Sequence, residues 1–366
     1  MKKKLAILMT LAMTVGMLAG CAGKAAITEN SGAASTESSV DGESAATTES
    51  TEVDGESSAT TETGAVKTGL SIVTSLSAES ATAEADGVAK TDIAVVAVTV
   101  DDNGVIRSCV IDGIQANITF STEGKLTTTA TEFPSKNELG EDYGMKAYSG
   151  IGKEWNEQAA AVAEYAVGKT VDELKNGAVD ETGAVADADL ASSATIYIGG
   201  FISGIEAAVN NATHLGASEG DTLSLTAITT AGSSKDASAD GDGTAQAYAN
   251  IAAVTMKDGV ITSCVIDAVQ SNVAFTTEGA ISGEVSETVA TKNELGENYG
   301  LKAYSGIGKE WNEQTASFCE YVVGKTVDEV TGIAVGETGA PADADLSASV
   351  TIAIGDFVAL IEKAAK

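Results

Sequence analysis

Between Ile93 and Ile114 the segment IAVVAVTVDDNGVIRSCVIDGI holds two runs rich in β-branched residues about a polar turn at Asp101 to Gly104. The pattern predicts a β-hairpin. Further on, IAAVTMKDGVITSCVIDAV predicts the same hairpin, turning at Lys257-Asp258-Gly259. A short additional strand is expected after each, at NITF (Asn117 to Phe120) and NVAF (Asn272 to Phe275). The period then changes. In KEWNEQAAAVAEYAVG, Trp155, Ala159, Val162 and Tyr165 fall on or near one face of a helix that Gly168 closes. Ile198, Phe201, Ile202, Ile205 and Val209 have the spacing of a buried stripe on a second helix. The expected class is therefore α+β, with antiparallel hairpins packed against helices.

The pattern occurs twice. KNELGEDYGMKAYSGIGKEWNEQ (Lys136 to Gln158) returns as KNELGENYGLKAYSGIGKEWNEQ (Lys292 to Gln314), and Trp155 and Thr195 return 156 positions later as Trp311 and Thr351. An internal duplication follows. The expected organisation is a signal segment over 1–20, a tether over 21–66, a first repeat over 67–212 and a second over 213–366. The join lies near Asn211 to Gly216. Each repeat is long enough for its own core.

The N-terminus changes the picture. Lys2 to Lys4 precede an apolar stretch, Leu5 to Leu18, that is too short for a stable membrane span. It ends in Leu18-Ala19-Gly20-Cys21, which resembles the lipobox of bacterial lipoproteins. That resemblance implies cleavage before Cys21 and lipid on its sulfur and new N-terminus, anchoring the chain to the outer face of the cell membrane. From Ala25 to Val66 there is no Lys or Arg, and a short repeat begins at Val40 and again at Val53. With few large apolar side chains, this tether is expected to be disordered. Its root-mean-square span would be about 35–40 Å.

Charge and chemistry narrow the function. A formal net charge of −32 argues against nucleic acid as a partner and fits an exported, solvated protein. The single His214 sits at the join, so two equivalent sites cannot depend on it. No Cys/His cluster, haem-attachment run, Ser–His–Asp arrangement or complete P-loop is present. Cys109 and Cys264 are expected as small core residues on strands. Cys319 has no counterpart in the first repeat, so a Cys264–Cys319 bridge is open to the second repeat alone.

Each repeat ends on one Thr among small residues ahead of the last helix. Thr195 follows Ser193 and Ala194, and Thr351 follows Ser349 and Val350. A Thr at or just before the first helical turn has two readings. It serves as an N-cap, or as a hydroxyl where free backbone N–H groups favour a phosphate.

The segments SSATIYIGGFISGIEAA and ASVTIAIGDFVALIEKA resemble the C-terminal signature of covalently flavinylated FMN-binding domains, and KNELGEDYG…SGIGKEW resembles that family's central segment. With the lipobox and tether, the chain resembles the tandem flavin lipoproteins of Gram-positive extracellular electron transfer. The resemblance implies two covalent FMN groups, joined by a flavin transferase through phosphate to Thr195 and Thr351. It implies an electron carrier rather than a turnover enzyme. Its donor would be a quinol or flavoprotein dehydrogenase of the membrane, and its acceptor extracellular, such as ferric iron. Ser193 and Ser349 stand where the family has Gly, Val350 where Ala is usual, and Tyr197 and Ala353 where a second Ser or Thr is frequent. Trp155, Trp311, Tyr148 and Tyr304 are candidates to stack on the flavin ring. Lys153 and Lys309 are candidates to pair with its phosphate. Glu138, Glu294, Glu154 and Glu310 are candidates to orient a hydrogen bond to it. The competing expectation is a non-redox surface binding or adhesion lipoprotein with a bivalent repeat. A pheromone role for the cleaved signal segment is compatible with either.

Overall fold

Hairpins dominate each repeat, as the β-branched runs require. A computed structural model describes residues 64–366; the signal segment, Cys21 and the tether up to residue 63 lie outside the described residues. In the first repeat β1 (Lys67–Glu79), β2 (Gly87–Val100) and β3 (Ile106–Phe120) form an antiparallel sheet in that order. In the second, β4 (Thr222–Thr230), β5 (Gly243–Lys257), β6 (Val260–Phe275) and the short β7 (Ile281–Ser282) form another. The fold is thus mixed α and β with two antiparallel sheets. Two details differ from expectation. NITF and NVAF are the far ends of β3 and β6, not separate strands, because their alternation continues without a break. β1 and β4 had no counterpart in the sequence reading; their Ser- and Thr-rich faces mask the period.

Helices follow each sheet. In the first repeat these are α1 (Lys136–Leu139), α2 (Trp155–Ala166), α3 (Val171–Gly177), α4 (Ala188–Ala191) and α5 (Gly199–Asn211). In the second they are α6 (Lys292–Leu295), α7 (Trp311–Val322), α8 (Val327–Thr331), α9 (Ala344–Ser347) and α10 (Gly355–Ala364). Reciprocal capping boxes start α1 and α3, Ser135 with Glu138 and Thr170 with Glu173, repeated at α6 and α8 as Thr291 with Glu294 and Thr326 with Glu329. Gly168, at φ +82°, follows α2 as expected.

The strands are apolar on both faces because both faces are covered. Val96 and Val98 of β2 pack outward on Trp155, Val162, Ile202 and Ile205 of α2 and α5. Ile93, Val95 and Ala97 of the same strand face inward, against Leu223, Ile251, Ala253 and Val269 of the other sheet. The two repeats therefore share their inner core, and the described residues form one compact unit. Buried hydroxyl pairs cross between the sheets, Thr68 with Ser263 and Thr91 with Ser271, each at 2.7 Å. Each repeat also lends backbone to the other's first strand. The Leu76 N–H donates to the Glu287 carbonyl at 2.8 Å, and the Phe133 N–H donates to the Thr229 carbonyl of β4 at 2.8 Å. Gly124 and Gly279 turn the chain at φ +66° and +70° where the repeats touch. A Cβ on Gly279 would lie 2.4 Å from the Ser121 carbonyl oxygen, so this turn needs glycine for its backbone and for its neighbour.

Candidate functional site

The Thr-bearing segment is a loop fixed by apolar residues four apart. Leu190, Ala194 and Ile198 are buried in the first repeat, and Leu346, Val350 and Ile354 in the second. Their side chains hold the loop down and leave Thr195 and Thr351 exposed between them. Ala194 and Val350 are core positions, so the Ala-to-Val difference concerns packing beneath the loop rather than access to the hydroxyl. The last helices begin at Gly199 and Gly355, four residues beyond each Thr, and their N-cap residues are Ile198 and Ile354, with no side-chain cap. This corrects both the expected position and the capping alternative: neither Thr caps its helix.

What holds each Thr is a glutamine that the sequence reading passed over. The Thr195 N–H donates to Gln158 Oε1 at 2.8 Å and its hydroxyl to the same oxygen at 3.3 Å. Thr351 repeats this on Gln314 at 2.8 and 3.2 Å, and the Ile352 N–H joins at 3.3 Å. The Gln158 amide donates to Ser149 Oγ at 3.3 Å and the Lys153 carbonyl at 3.2 Å; Gln314 does so to Ser305 and Lys309 at 3.2 and 3.1 Å. Both glutamines are fully buried. One carboxamide therefore ties the Gly-rich loop YSGIG to the Thr loop in each repeat. A carboxamide oxygen orients a hydroxyl but is too weak a base to ionise it. The arrangement presents the Thr oxygen without activating it. A polar Gln inside the apolar stripe of α2 was the signal available in the sequence.

A cavity opens one residue beyond each Thr. In the second repeat it measures about 420 Å³, lined by Tyr248, Lys292, Tyr299, Trp311, Ile352 and Asp356 among others. Its first-repeat counterpart, about 290 Å³, is lined by Asp92, Asp112, Lys136, Trp155, Ile196 and Tyr197 among others. Lys292 is 5 % exposed and lies over three rings, with Nζ 4.6, 4.7 and 4.9 Å from the centroids of Tyr248, Tyr299 and Trp311. Its ammonium also donates to the Tyr248 hydroxyl at 2.9 Å. Lys136 lies over Tyr143 and Trp155 at 4.9 and 4.8 Å. Such cages stabilise a cation by its attraction to the ring faces.

Burial shifts the titratable groups here. It pulls Lys292 down to about 8, opposed by the charge of Asp267. It pushes Asp267 up to about 6 and Tyr248 up to about 12. Asp112, the counterpart of Asp267, is also raised, chiefly by burial. The sign for stability follows from proton counts. Between about pH 8 and 10.5 the unfolded chain holds a proton on Lys292 that the folded chain has released, so stability gains with pH in that window. Between about pH 4 and 6 the folded chain holds a proton on Asp267 that the unfolded chain lacks, so stability falls with pH there. Urea midpoints of the wild type minus those of Lys292→Met should thus rise from pH 8 to 10, by about 1–3 kcal/mol once scaled by the urea slope. A flat difference would show that Lys292 keeps its ordinary affinity for the proton.

The other candidates divide. Trp155 and Trp311 line the cavities but are buried, packed edge-to-face on Phe201 and Phe357 at 5.7 and 5.9 Å. Tyr148 and Tyr304 are 92 % and 90 % exposed on the Gly-rich loops and do not line either cavity. Ser193 and Ser349 are half-buried, their N–H groups donated to Leu190 and Leu346. Lys309 turns its ammonium onto Ser317 of α7 at 3.1 Å. The carboxylates bind backbone N–H groups and line neither of the two Thr-side cavities. Glu154 accepts from the Met145 and Lys146 N–H groups, Glu310 from Leu301 and Lys302, and Glu138 and Glu294 complete capping boxes. Cys264 and Cys319 are both buried free thiols, and their mutual contact, with burial, pushes the Cys264 thiol far up.

No family model, curated protein or solved structure matches this chain.

The site's donor set fits an aromatic phosphate ester. A presented hydroxyl lies ahead of a helix N-terminus without a side-chain cap, beside a cavity with aromatic walls and a caged ammonium. The cavity volumes are at or near the usual range for small-molecule pockets, about 300–1,000 Å³.

Proposed function

We propose that the chain is a membrane-anchored, extracellular carrier of two FMN groups, held by phosphoester bonds at Thr195 and Thr351. In this reading the chain comprises tandem copies of an FMN-binding-type domain, and Cys21 carries the lipid anchor. The carrier receives electrons from a membrane donor, a quinol or flavoprotein dehydrogenase, and passes them to an extracellular acceptor such as ferric iron. The observation that carries the reading is the twice-built site: an exposed Thr held by a buried Gln at the edge of a lysine-and-aromatic cavity. The flavin supplies the redox chemistry; the protein binds it, orients it and sets its surroundings.

Each residue then has a task. Gln158 and Gln314 hold the Thr loops in register with the Gly-rich loops. The first N–H groups of α5 and α10 favour the negative charge of the phosphodiester. Lys136 and Lys292 supply positive charge within the cavities. Attachment needs a separate flavin transferase and an activated flavin phosphate. The Thr oxygen bonds to phosphorus, the bond to the leaving group breaks, and the hydroxyl proton departs with that group. The weakness of Gln as a base is consistent with an external catalyst.

Mass spectrometry of protein co-expressed with a flavin transferase tests this. The expected product is yellow and heavier by two FMN less two waters, and Thr195→Ala and Thr351→Ala each remove one adduct. Each Gln oxygen keeps the Thr N–H as its donor when the hydroxyl is removed, so neither change should cost more than about 1 kcal/mol of stability. An unmodified mass under those conditions would favour the non-redox surface-binding reading.

A further inference from the structure

The two cavities are built from one pattern but differ at several positions around them, four of which change polarity. Asp92 of β2 is replaced by Tyr248 of β5, Ala94 by Asn250, Tyr197 by Ala353 and Gly200 by Asp356. These changes redistribute charge. The first cavity is lined by Lys136 with two carboxylates, Asp92 and Asp112. Asp92 is exposed and accepts from the Gln115 amide at 2.8 Å. The second has Lys292 near Asp356, which accepts from the Asn250 amide at 2.9 Å, and near Asp267, the counterpart of Asp112. Lys292 is enclosed by three rings, whereas Lys136 is half-buried beneath two.

Resting on the flavin reading above, we infer that the two sites are inequivalent, and that the enclosed Lys292 makes the second-repeat cofactor the easier of the two to reduce. The physical ground is charge. Reduction places more electron density on the ring, which a nearby cation favours and a nearby carboxylate opposes. A buried cation acts through a less polarisable surround than a half-exposed one and is less screened by salt. Each cavity has two carboxylates near its lysine, Asp92 and Asp112 in the first and Asp356 and Asp267 in the second, so the difference lies in the more deeply enclosed ammonium of Lys292. The groups facing Lys292 are Tyr248 from β5, Asp267 from β6, Tyr299 from the turn after α6 and Asp356 from α10. With its pKa near 8, Lys292 is mostly protonated at pH 7. The carrier then has a direction, filling at its second repeat first.

Spectroelectrochemical titration at pH 7 tests this on protein whose loading is established by mass. Thr195→Ala leaves the second site alone and Thr351→Ala the first. At a fixed applied potential the reduced-to-oxidised ratio should be at least tenfold higher for the second site, about 30 mV for a two-electron couple. Lys292→Met in the Thr195→Ala protein should remove that difference, and Lys292→Arg should keep most of it. Tyr248→Asp, which installs the first-repeat residue, should also narrow it, and provides a second route if the Met variant folds poorly. Equal ratios at the two loaded sites, or the reverse order, would overturn the inference and leave the flavin reading intact. A protein that gains no mass would overturn both.

Discussion

Expressed alone, residues 213–366 should not yield a folded monomer, although the sequence repeat suggests a self-sufficient unit. The inner face of its sheet is covered in the whole protein by the other repeat. Leu223, Ile251 and Val269 are buried against Leu70, Ile72, Ile93 and Val95. Uncovering those three side chains costs about 5–9 kcal/mol at roughly 1.5–3 kcal/mol each. Val273 and Phe275, buried in the second shared cluster, add about 3–6 kcal/mol more. The sum is comparable to the whole stability of an ordinary domain, about 5–15 kcal/mol. The half also loses Thr74 and Leu76, which anchor its segment around Val289: the Val289 N–H donates to Thr74 Oγ1 at 2.7 Å. The expected product is a poorly ordered chain, or a homodimer in which a second copy supplies the missing face. Mixing residues 64–212 with 213–366 should restore a 1:1 complex. Sedimentation and amide chemical-shift dispersion distinguish these outcomes. A monomer at micromolar concentration that unfolds cooperatively would mean that the inner faces do not need each other.

This shared core was the least legible part of the fold. Period-two alternation identifies a strand with one wet face; β2 and β5 are apolar on both faces and read only as β-rich runs. Nothing in such a run says that its second partner is another sheet, still less that the sheet comes from the other repeat. β1 and β4 were hidden for the converse reason. Ser71, Thr74, Thr226 and Thr229 are buried yet polar, so the alternation is not written in hydrophobicity. The helices α2 and α5 were readable because each buries one stripe against one sheet.

The site was half legible. Two Thr residues in equivalent small-residue runs could be picked out, and they do stand exposed on matching loops. Their supports were not, because a buried Gln, a caged Lys and a buried Asp look in sequence like the many polar residues of an acidic chain. Gln158 and Lys136 lie inside the long duplicated motif, where near-identity across both copies hid which residues mattered. The exposed Tyr148 and Tyr304 show the opposite error: retention in both repeats did not bring them to either cavity.

Truncating Phe120 or Phe275 to Ala should each cost about 3–5 kcal/mol. The two rings are fully buried and stack across the shared core with centroids 4.2 Å apart and planes 3° from parallel. They come from matching ends of β3 and β6, one from each repeat. Each has a glycine opposite it in register, Gly87 for Phe120 and Gly243 for Phe275. A Cβ on those glycines would fall 2.3 and 2.4 Å from the rings, so the backbone leaves no slack around the pair. An alanine at either position leaves a cavity that close-packed strands cannot collapse into. Because the rings also attract each other, the double variant should cost less than the sum of the singles, by about 0.5–1.5 kcal/mol. Urea unfolding of the four proteins of the cycle measures both quantities. Val73→Ala, at a half-exposed position of β1, serves as the control and should shift stability far less. If either phenylalanine variant lost under about 1 kcal/mol, the Phe120–Phe275 pair would not be what holds the repeats together, and the shared cluster around Ile251 and Val95 would carry that role.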